Sequence, residues 1–120
     1  MKTFKYIFAA GIIAFMFTGC KYDFIVPEEL PDPGEQVSFS EDIVPIFESK
    51  CTACHDTGGQ MPDLTAANAF SSINRSRYIN EDNPGESLIY SKPVGSHPAQ
   101  YTEREAALVL EWINQGAENN

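Results

Sequence analysis

Apolar residues recur at helical spacing shortly after the first third of the chain, in the set Ile43, Ile46 and Phe47. This spacing predicts an amphipathic helix. Pro45 is compatible with a helix only in its first turn, so we expect the helix to start near residue 41 or 42. Ser38 or Ser40 can cap it, and it should end around residues 50–54.

The clearest helical pattern lies near the end of the chain, where one face carries Leu108, Val109, Trp112 and Ile113. Thr102 and Glu105 stand at the spacing of a capping box, which favours a helix start. Gly116 stands where a glycine in the left-handed conformation commonly ends a helix. The last helix is therefore expected between these two signals.

The middle of the chain predicts shorter elements. Residues 56–63 contain two glycines and indicate a loop, and residues 65–73 have the pattern of a short helix capped by Thr65. Another short helix is expected over about 86–90, and the prolines and glycine of residues 91–98 predict an irregular loop. No strand pattern is present, so the predicted fold class is all-α.

The start of the sequence has the pattern of a secretory signal peptide. Lys2 and Lys5 precede the 12 apolar or small residues 6–17, a run too short for the roughly 20 residues that a bilayer span requires. The small residues before Cys20 resemble a bacterial lipobox, in which the cysteine is acylated. We expect a signal peptide over residues 1–19 and a lipid on Cys20; plain secretion with a free thiol is the alternative.

A linker and one domain should follow the lipid-bearing residue. Residues 20–37 contain three prolines and five acidic residues, which indicates an extended flexible tether. A strand that packs on the domain through the apolar residues 24–26 is the other interpretation. Residues 38–120 form the predicted domain, which at this size needs a disulfide, metal or cofactor for stability.

The strongest chemical signal is the segment Cys51-Thr52-Ala53-Cys54-His55, which has the C-x-x-C-H pattern of covalent haem attachment. Two thiols three positions apart on one helical turn can add to the two vinyl groups at one haem edge, and His55 then reaches the iron as proximal ligand. Covalent haem attachment of this kind takes place outside the cytoplasm, and the predicted signal peptide would take the chain there. A Cys51–Cys54 disulfide and half of a zinc site are the alternatives, although zinc would need further clustered ligands.

Two residues are candidates for the distal iron ligand. Met61 lies only six residues after His55, too close along the chain to pass around the macrocycle. His97 lies 42 residues after His55, in the predicted loop before the last helix, and has enough chain to reach the other face. We expect His97 to ligate the iron, with Met61 as the weaker candidate and a vacant position as the remaining case.

With these pieces, residues 38–120 resemble the class I cytochrome c family, and within it small lipoprotein domains with one haem. The matching residues are Phe39, Asp42, Ile43, Pro45, Ile46, Phe47, Cys51, Cys54, His55, Trp112, Ile113, Gly116 and Ala117. The resemblance implies a helical domain around one covalent haem c, with Phe47 near Trp112 and Pro62 beside the proximal histidine. A distal methionine is usual in the family, and His97 in its place implies a lower haem potential.

Further residues are candidates for contact with the haem. Those expected to bury the ring are Phe47, Phe70, Tyr78, Leu88, Tyr90, Leu108 and Trp112. Arg75, Arg77 and Lys92 could pair with the propionates by charge alone. For each apolar residue in this set, ordinary core packing is the alternative, and it is physically the same role as packing against a haem.

These features favour electron transfer by a lipid-anchored monohaem cytochrome in a bacterial cell envelope, at the outer membrane or the periplasmic face, with no enzymatic activity. A haem-based gas or redox sensor with a weak or open distal site is the alternative. The chain has eight basic and 17 acidic residues, and removal of residues 1–19 takes away two lysines and leaves a net charge near −11. This charge excludes nucleic acid as a partner and suits a redox partner with a basic docking face.

Overall fold

The computed structural model describes residues 29–32 and 34–120. Within these residues four α-helices occur: α1 (Val44–Lys50), α2 (Ala69–Ile73), α3 (Leu88–Val94) and α4 (Glu103–Asn114). A π-helical turn, Phe39–Ile43, runs directly into α1, and a 3-10 turn, Pro84–Glu86, precedes α3. No strand is found in this part of the chain, so the all-α prediction is confirmed.

The predicted signal peptide (residues 1–19) and the predicted lipid site at Cys20 lie outside the described residues. In the described ranges, 29–32 and 34–120, no helix has the length and apolar character needed to cross a bilayer.

The first helical segment begins earlier than predicted, because a π-helical turn precedes α1. Ser38 is the cap, since its Oγ accepts a hydrogen bond from the Glu41 amide at 3.2 Å. The Ser38 amide in turn donates to Asp42 Oδ2 at 2.8 Å. Asp42, and not Glu41, is therefore the acceptor that completes the capping box. Pro45 lies in the first turn of α1, as its missing N–H requires.

The two short helices differ from their predicted bounds. Residues 65–68 form a turn, and α2 starts only at Ala69 with Asn68 at the N-cap. The prediction of an irregular loop over residues 91–98 is wrong for its first four positions, because α3 continues to Val94 with Pro93 inside it. Proline lacks the N–H that would bind the carbonyl four residues earlier. That carbonyl, on Ile89, instead accepts a hydrogen bond from the Tyr101 hydroxyl at 3.0 Å.

Both predicted ends of α4 are confirmed. Thr102 Oγ1 accepts from the Glu105 amide at 3.3 Å, and the Thr102 amide donates to Glu105 Oε2 at 2.6 Å. At the other end Gly116 has a φ of 94°, a conformation that glycine adopts without steric cost. The Ala117 amide then donates back to the Trp112 carbonyl at 2.9 Å, which closes a Schellman motif.

The core joins the π-helical turn to α4 through aromatic rings. The Phe39 ring lies 5.1 Å from the Trp112 ring and 6.3 Å from the Phe47 ring, centroid to centroid. Phe39 is therefore the ring paired with Trp112, and Phe47 lies on its other side. Asn120 ties the same two regions together, because its side chain accepts from the Phe39 amide at 2.7 Å.

The last part of the predicted tether contacts α4. Val37 is buried, and its amide donates to Gln115 Oε1 at 2.9 Å. The Gln115 side-chain amide donates to the Glu35 carbonyl at 2.8 Å, and Arg104 donates to the Glu29 carbonyl. The chain therefore approaches the domain along α4 before the π-helical turn begins.

Candidate functional site

The five residues of the C-x-x-C-H motif follow α1 directly as a hydrogen-bonded turn. The Cys51 amide donates to the Phe47 carbonyl at 2.8 Å, and the amides of Cys54 and His55 both donate to the Cys51 carbonyl, at 3.1 and 2.9 Å. The motif thus forms one further turn. Cys51 is buried, Cys54 is exposed, and both are free thiols.

The environment of Cys51 keeps its sulfur protonated. Burial raises the pKa of this thiol to about 11, the negative charge of Glu105 adds to the effect, and Lys50 opposes it. At neutral pH the group is therefore a thiol and a poor nucleophile toward polar reagents.

The ring of His55 is held in one tautomer. Its Nδ1 lies 3.1 Å from the carbonyl oxygen of Gln60 and 3.1 Å from that of Pro62. Carbonyl oxygens only accept hydrogen bonds, so Nδ1 carries the proton. Nε2 is then left with a free lone pair, the arrangement in which histidine binds a metal ion. The expected place of Pro62 beside His55 is found here.

The loop that carries Pro62 is organised by Asp63. One carboxylate oxygen accepts from the amide and hydroxyl of Thr65 at 3.0 and 2.6 Å, and the other accepts from Thr57 Oγ1 and Asn68 Nδ2 at 2.8 and 2.9 Å. The hydrogen bond from the Thr65 hydroxyl is the largest cause of a lowered pKa at Asp63. This network fixes the backbone one residue after the Pro62 carbonyl.

A mostly apolar, half-open cleft of about 260 Å³ lies beside the motif. Cys51 and His55 form part of its wall, together with the loop segment that contains Met61, Pro62 and Leu64. Residues of α3 and the segment that follows it, including His97 and Tyr101, complete the lining. The predicted proximal and distal ligands therefore lie in one cleft.

The two histidine rings approach each other in this cleft. The centroids of His55 and His97 are 6.0 Å apart, and the ring planes are inclined by 32°. An imidazole nitrogen binds a first-row metal at about 2.0–2.1 Å, so two rings that share one metal have centroids about 6 Å apart. The separation of the His55 and His97 rings is close to that distance.

His97 is held less firmly than His55. Its Nδ1 lies 3.0 Å from the Ala99 carbonyl and 3.2 Å from the Ala99 amide. Donation to the carbonyl leaves Nε2 free for a metal, whereas acceptance from the amide places the proton on Nε2. Unlike His55, this ring is not limited to one tautomer by its surroundings.

Met61, the weaker distal candidate, also lines the cleft but is 64 % exposed. It lies at the mouth, immediately before the proline whose carbonyl binds His55. The structure gives it no ring partner comparable to the His55–His97 pair.

The residues expected to bury the haem ring divide into two groups. Tyr78 and Leu88 line the cleft. The others do not, because they are used elsewhere: Phe47, Leu108 and Trp112 belong to the buried core, and Phe70 and Tyr90 pack against it. Of the three cations considered, Lys92 lines the cleft, while the guanidinium of Arg77 stacks over the Tyr78 ring at 5.7 Å.

Tyr101 is a site residue that sequence reasoning missed. It lines the cleft, and burial raises the pKa of its hydroxyl, with Cys51 and Glu105 adding to the effect, so the group remains a donor. The available signal was Pro93, since a proline inside a helix leaves one carbonyl in need of another donor. Only the tertiary structure identifies Tyr101 as that donor.

No family model, curated protein or solved structure matches this chain. The described residues also contain no cluster of three or more His, Cys, Asp or Glu side chains suited to a metal ion. The interpretation of the site therefore depends on the motif and on the geometry of the cleft.

Proposed function

We propose that this protein is a lipid-anchored c-type cytochrome that carries one covalent haem c and transfers electrons. The observation that supports this most is the pairing of His55 and His97 at 6.0 Å in an apolar cleft. One of these rings directly follows two cysteines in the C-x-x-C-H order, and one of these cysteines, Cys51, lines the same cleft. A family assignment to the class I cytochromes c is part of the proposal.

Each residue of the site has a role in holding the cofactor. Cys51 and Cys54 would hold the haem through two thioether links, and His55 and His97 would hold its iron. The free lone pair on His55 Nε2 fits the proximal role, because the two carbonyls on Nδ1 orient the ring. When bound, haem supplies one-electron exchange between ferric and ferrous iron.

The rest of the cleft suits electron transfer better than catalysis. Two histidine ligands would leave no iron position for a substrate, and the cleft walls are mostly apolar, with Lys92 and the hydroxyls of Tyr78 and Tyr101 as further polar groups beside the histidines. The half-open side would leave a cofactor edge accessible to a partner. A redox protein with a basic face would be attracted to the net negative charge of the chain.

The location follows from the proposed processing. A lipid on Cys20 would hold the domain at a membrane surface in the bacterial cell envelope, outside the cytoplasm. Residues 20–37 would connect the lipid to the domain, and their last part lies along α4 through the contacts of Glu35 and Val37.

A haem-based gas or redox sensor is the second candidate function. The observation that favours it is the difference between the two histidines: the His55 ring is held by two carbonyls, whereas the hydrogen bonds of the His97 ring within the described residues are all with Ala99. A distal ligand that leaves easily would open the iron to a diatomic gas.

The deciding experiment is spectroscopy of the protein matured in a bacterium that attaches haem to exported chains. We expect absorption and magnetic circular dichroism spectra of a six-coordinate bis-histidine haem, with slow carbon monoxide binding to the reduced form. His97→Ala should abolish the bis-histidine signature, and the matched variant Met61→Leu should retain it. Absence of covalent haem would overturn the proposal, and rapid carbon monoxide binding to the unmodified protein would put sensing ahead of electron transfer.

A further inference from the structure

We propose that Lys50, Tyr101 and Glu105 are positioning residues for His97, and that together they hold its loop at the correct distance from His55. We call these three residues the brace and residues 95–101 the His97 loop. The inference rests on the proposed function, since it assigns a role in ligating the iron. The brace is outside the C-x-x-C-H motif, and no hydrogen bond in the described residues joins its side chains to either histidine ring.

Lys50 links the attachment turn to the end of the His97 loop. It immediately precedes Cys51, and its Nζ donates to the Gln100 carbonyl at 3.0 Å and pairs with Glu105 Oε2 at 2.7 Å. The Lys50 and Glu105 side chains are only 27 % and 17 % exposed. Partial burial makes this pair better ordered than an ordinary surface ion pair.

Glu105 connects the same point to the start of α4. The oxygen that faces Lys50 also accepts from the Thr102 amide at 2.6 Å. One carboxylate therefore joins α1, the residue after the His97 loop, and α4. The fixed helices on either side leave the end of the loop little freedom to move.

Tyr101 secures the loop against α3. Its hydroxyl donates to the Ile89 carbonyl, which has no helical donor because Pro93 stands four residues later. The His97 loop starts directly after α3. The hydrogen bond from Tyr101 therefore attaches the end of the loop to the same helix that precedes its start. Within the loop, the Gln100 side chain donates to the Gly95 carbonyl at 3.1 Å and closes it.

The position of the His97 ring depends on these attachments. The ring itself has hydrogen bonds only with Ala99, a member of the same loop, and its backbone amide donates to the Lys92 carbonyl at a long 3.3 Å. None of these contacts connects the ring to the side of the cleft that carries His55. The brace makes that connection, from Lys50 beside the motif to Gln100 in the loop.

The test measures how fast carbon monoxide displaces the distal ligand in the reduced, haem-loaded protein. Lys50→Met, Glu105→Gln and Tyr101→Phe each remove one part of the brace. We expect each to accelerate displacement by about threefold to tenfold, the range produced by losing one hydrogen bond of ordinary strength. The controls are Glu103→Gln and Tyr90→Phe, whose side chains make no hydrogen bond within the described residues, and these should match the unmodified protein.

Two further measurements separate positioning from stability. Urea unfolding of each variant gives its global stability, and hydrogen–deuterium exchange of residues 95–101 reports local opening. We expect faster exchange in the His97 loop of the brace variants while the amides of α4 around Trp112 remain protected. Glu105→Gln retains an oxygen for the Thr102 amide, so it keeps the domain folded even if Lys50→Met does not.

The outcomes distinguish this inference from the proposed function. Displacement rates within twofold of the unmodified protein in all folded brace variants would overturn the inference, even if their stability fell. In that case the bis-histidine spectrum, and with it the proposed function, would stand. An unmodified protein without His97 ligation would instead overturn the distal assignment, and the inference with it.

Discussion

The rings of Phe39 and Trp112 lie with their centroids 5.1 Å apart at a tilt of 37°, and this contact joins the π-helical turn to the last helix. Both residues are almost fully buried, with exposures of 2 % and 1 %. The pair therefore lies at the centre of the buried core.

Loss of the Phe39 ring should be strongly destabilising. We expect Phe39→Ala to lower the free energy of unfolding by about 3–5 kcal/mol, because it removes an aromatic side chain from a packed core and leaves a cavity. Urea unfolding followed by Trp112 fluorescence measures the change. Val94→Ala, at a position that is 49 % exposed, should stay within about 0.5 kcal/mol of the unmodified protein. Equal effects of the two substitutions would contradict the described core.

The two motif cysteines should differ in reactivity in the chain without a bound cofactor. Cys51 is 6 % exposed and has a pKa of about 11, whereas Cys54 is exposed. At pH 8 only about one Cys51 group in a thousand would be thiolate. Iodoacetamide followed by peptide mass spectrometry should therefore detect Cys54 modification first, and in urea the two rates should converge. Faster labelling of Cys51 than of Cys54 in the folded chain would contradict the burial of Cys51.

The Lys50–Glu105 pair should make stability dependent on pH. Burial favours the neutral form of Glu105, but hydrogen bonds from Lys50 and Thr102 outweigh it and hold the pKa of this carboxyl below its ordinary value. A carboxyl with a lowered pKa contributes stability above its unfolded pKa and loses it as pH falls through the folded value. Glu105→Gln should cost at most about 1 kcal/mol at pH 7 and close to nothing at pH 3.

Unfolding curves of both proteins at pH 7, 5 and 3 measure this difference. Glu103→Gln serves as the control, because it removes an acid from the same helical turn without removing a hydrogen bond to Lys50, and its cost should change less between pH 7 and pH 3 than that of Glu105→Gln. A stability difference for Glu105→Gln that grew toward pH 3 would have the wrong sign for the described ion pair.

Substitution of Asp63 should loosen the loop that carries Pro62. Asp63→Asn replaces one accepting oxygen with a donor, so it disrupts either the Thr65 bonds or those from Thr57 and Asn68. We expect faster hydrogen exchange of the Leu64 and Thr65 amides and a broadened His55 ring signal in NMR spectra. Asp82→Asn, an exposed acid distant from the cleft, is the control and should leave both unchanged.

Local signals in the sequence predicted the last helix well. Thr102, Glu105 and Gly116 act on backbone groups within a few positions of themselves, so their effect depends little on the rest of the fold. The start of the first helix was less predictable, because Asp42 competes with Glu41 for the Ser38 amide and the turn widens to a π-helix.

The remaining parts of the fold and of the site were harder to predict, because they depend on contacts between segments that are distant in the sequence. The prediction that Pro93 ends regular structure considered only the local backbone, whereas Tyr101 supplies the donor that allows α3 to continue. The motif identified His55, and chain length allowed His97 to reach it. Their separation of 6.0 Å depends on how α3, the His97 loop and α4 pack, which no local pattern encodes.

The contact between Asn120 and the π-helical turn has a consequence for the timing of folding. The Phe39 and Ser40 amides find their acceptors on a residue about 80 positions later, so the turn cannot be completed before that residue has folded back against it. Contacts of such long sequence separation form late. Under the proposed function, the cysteines that follow α1 would therefore stay accessible for haem attachment until residue 120 has docked on the turn.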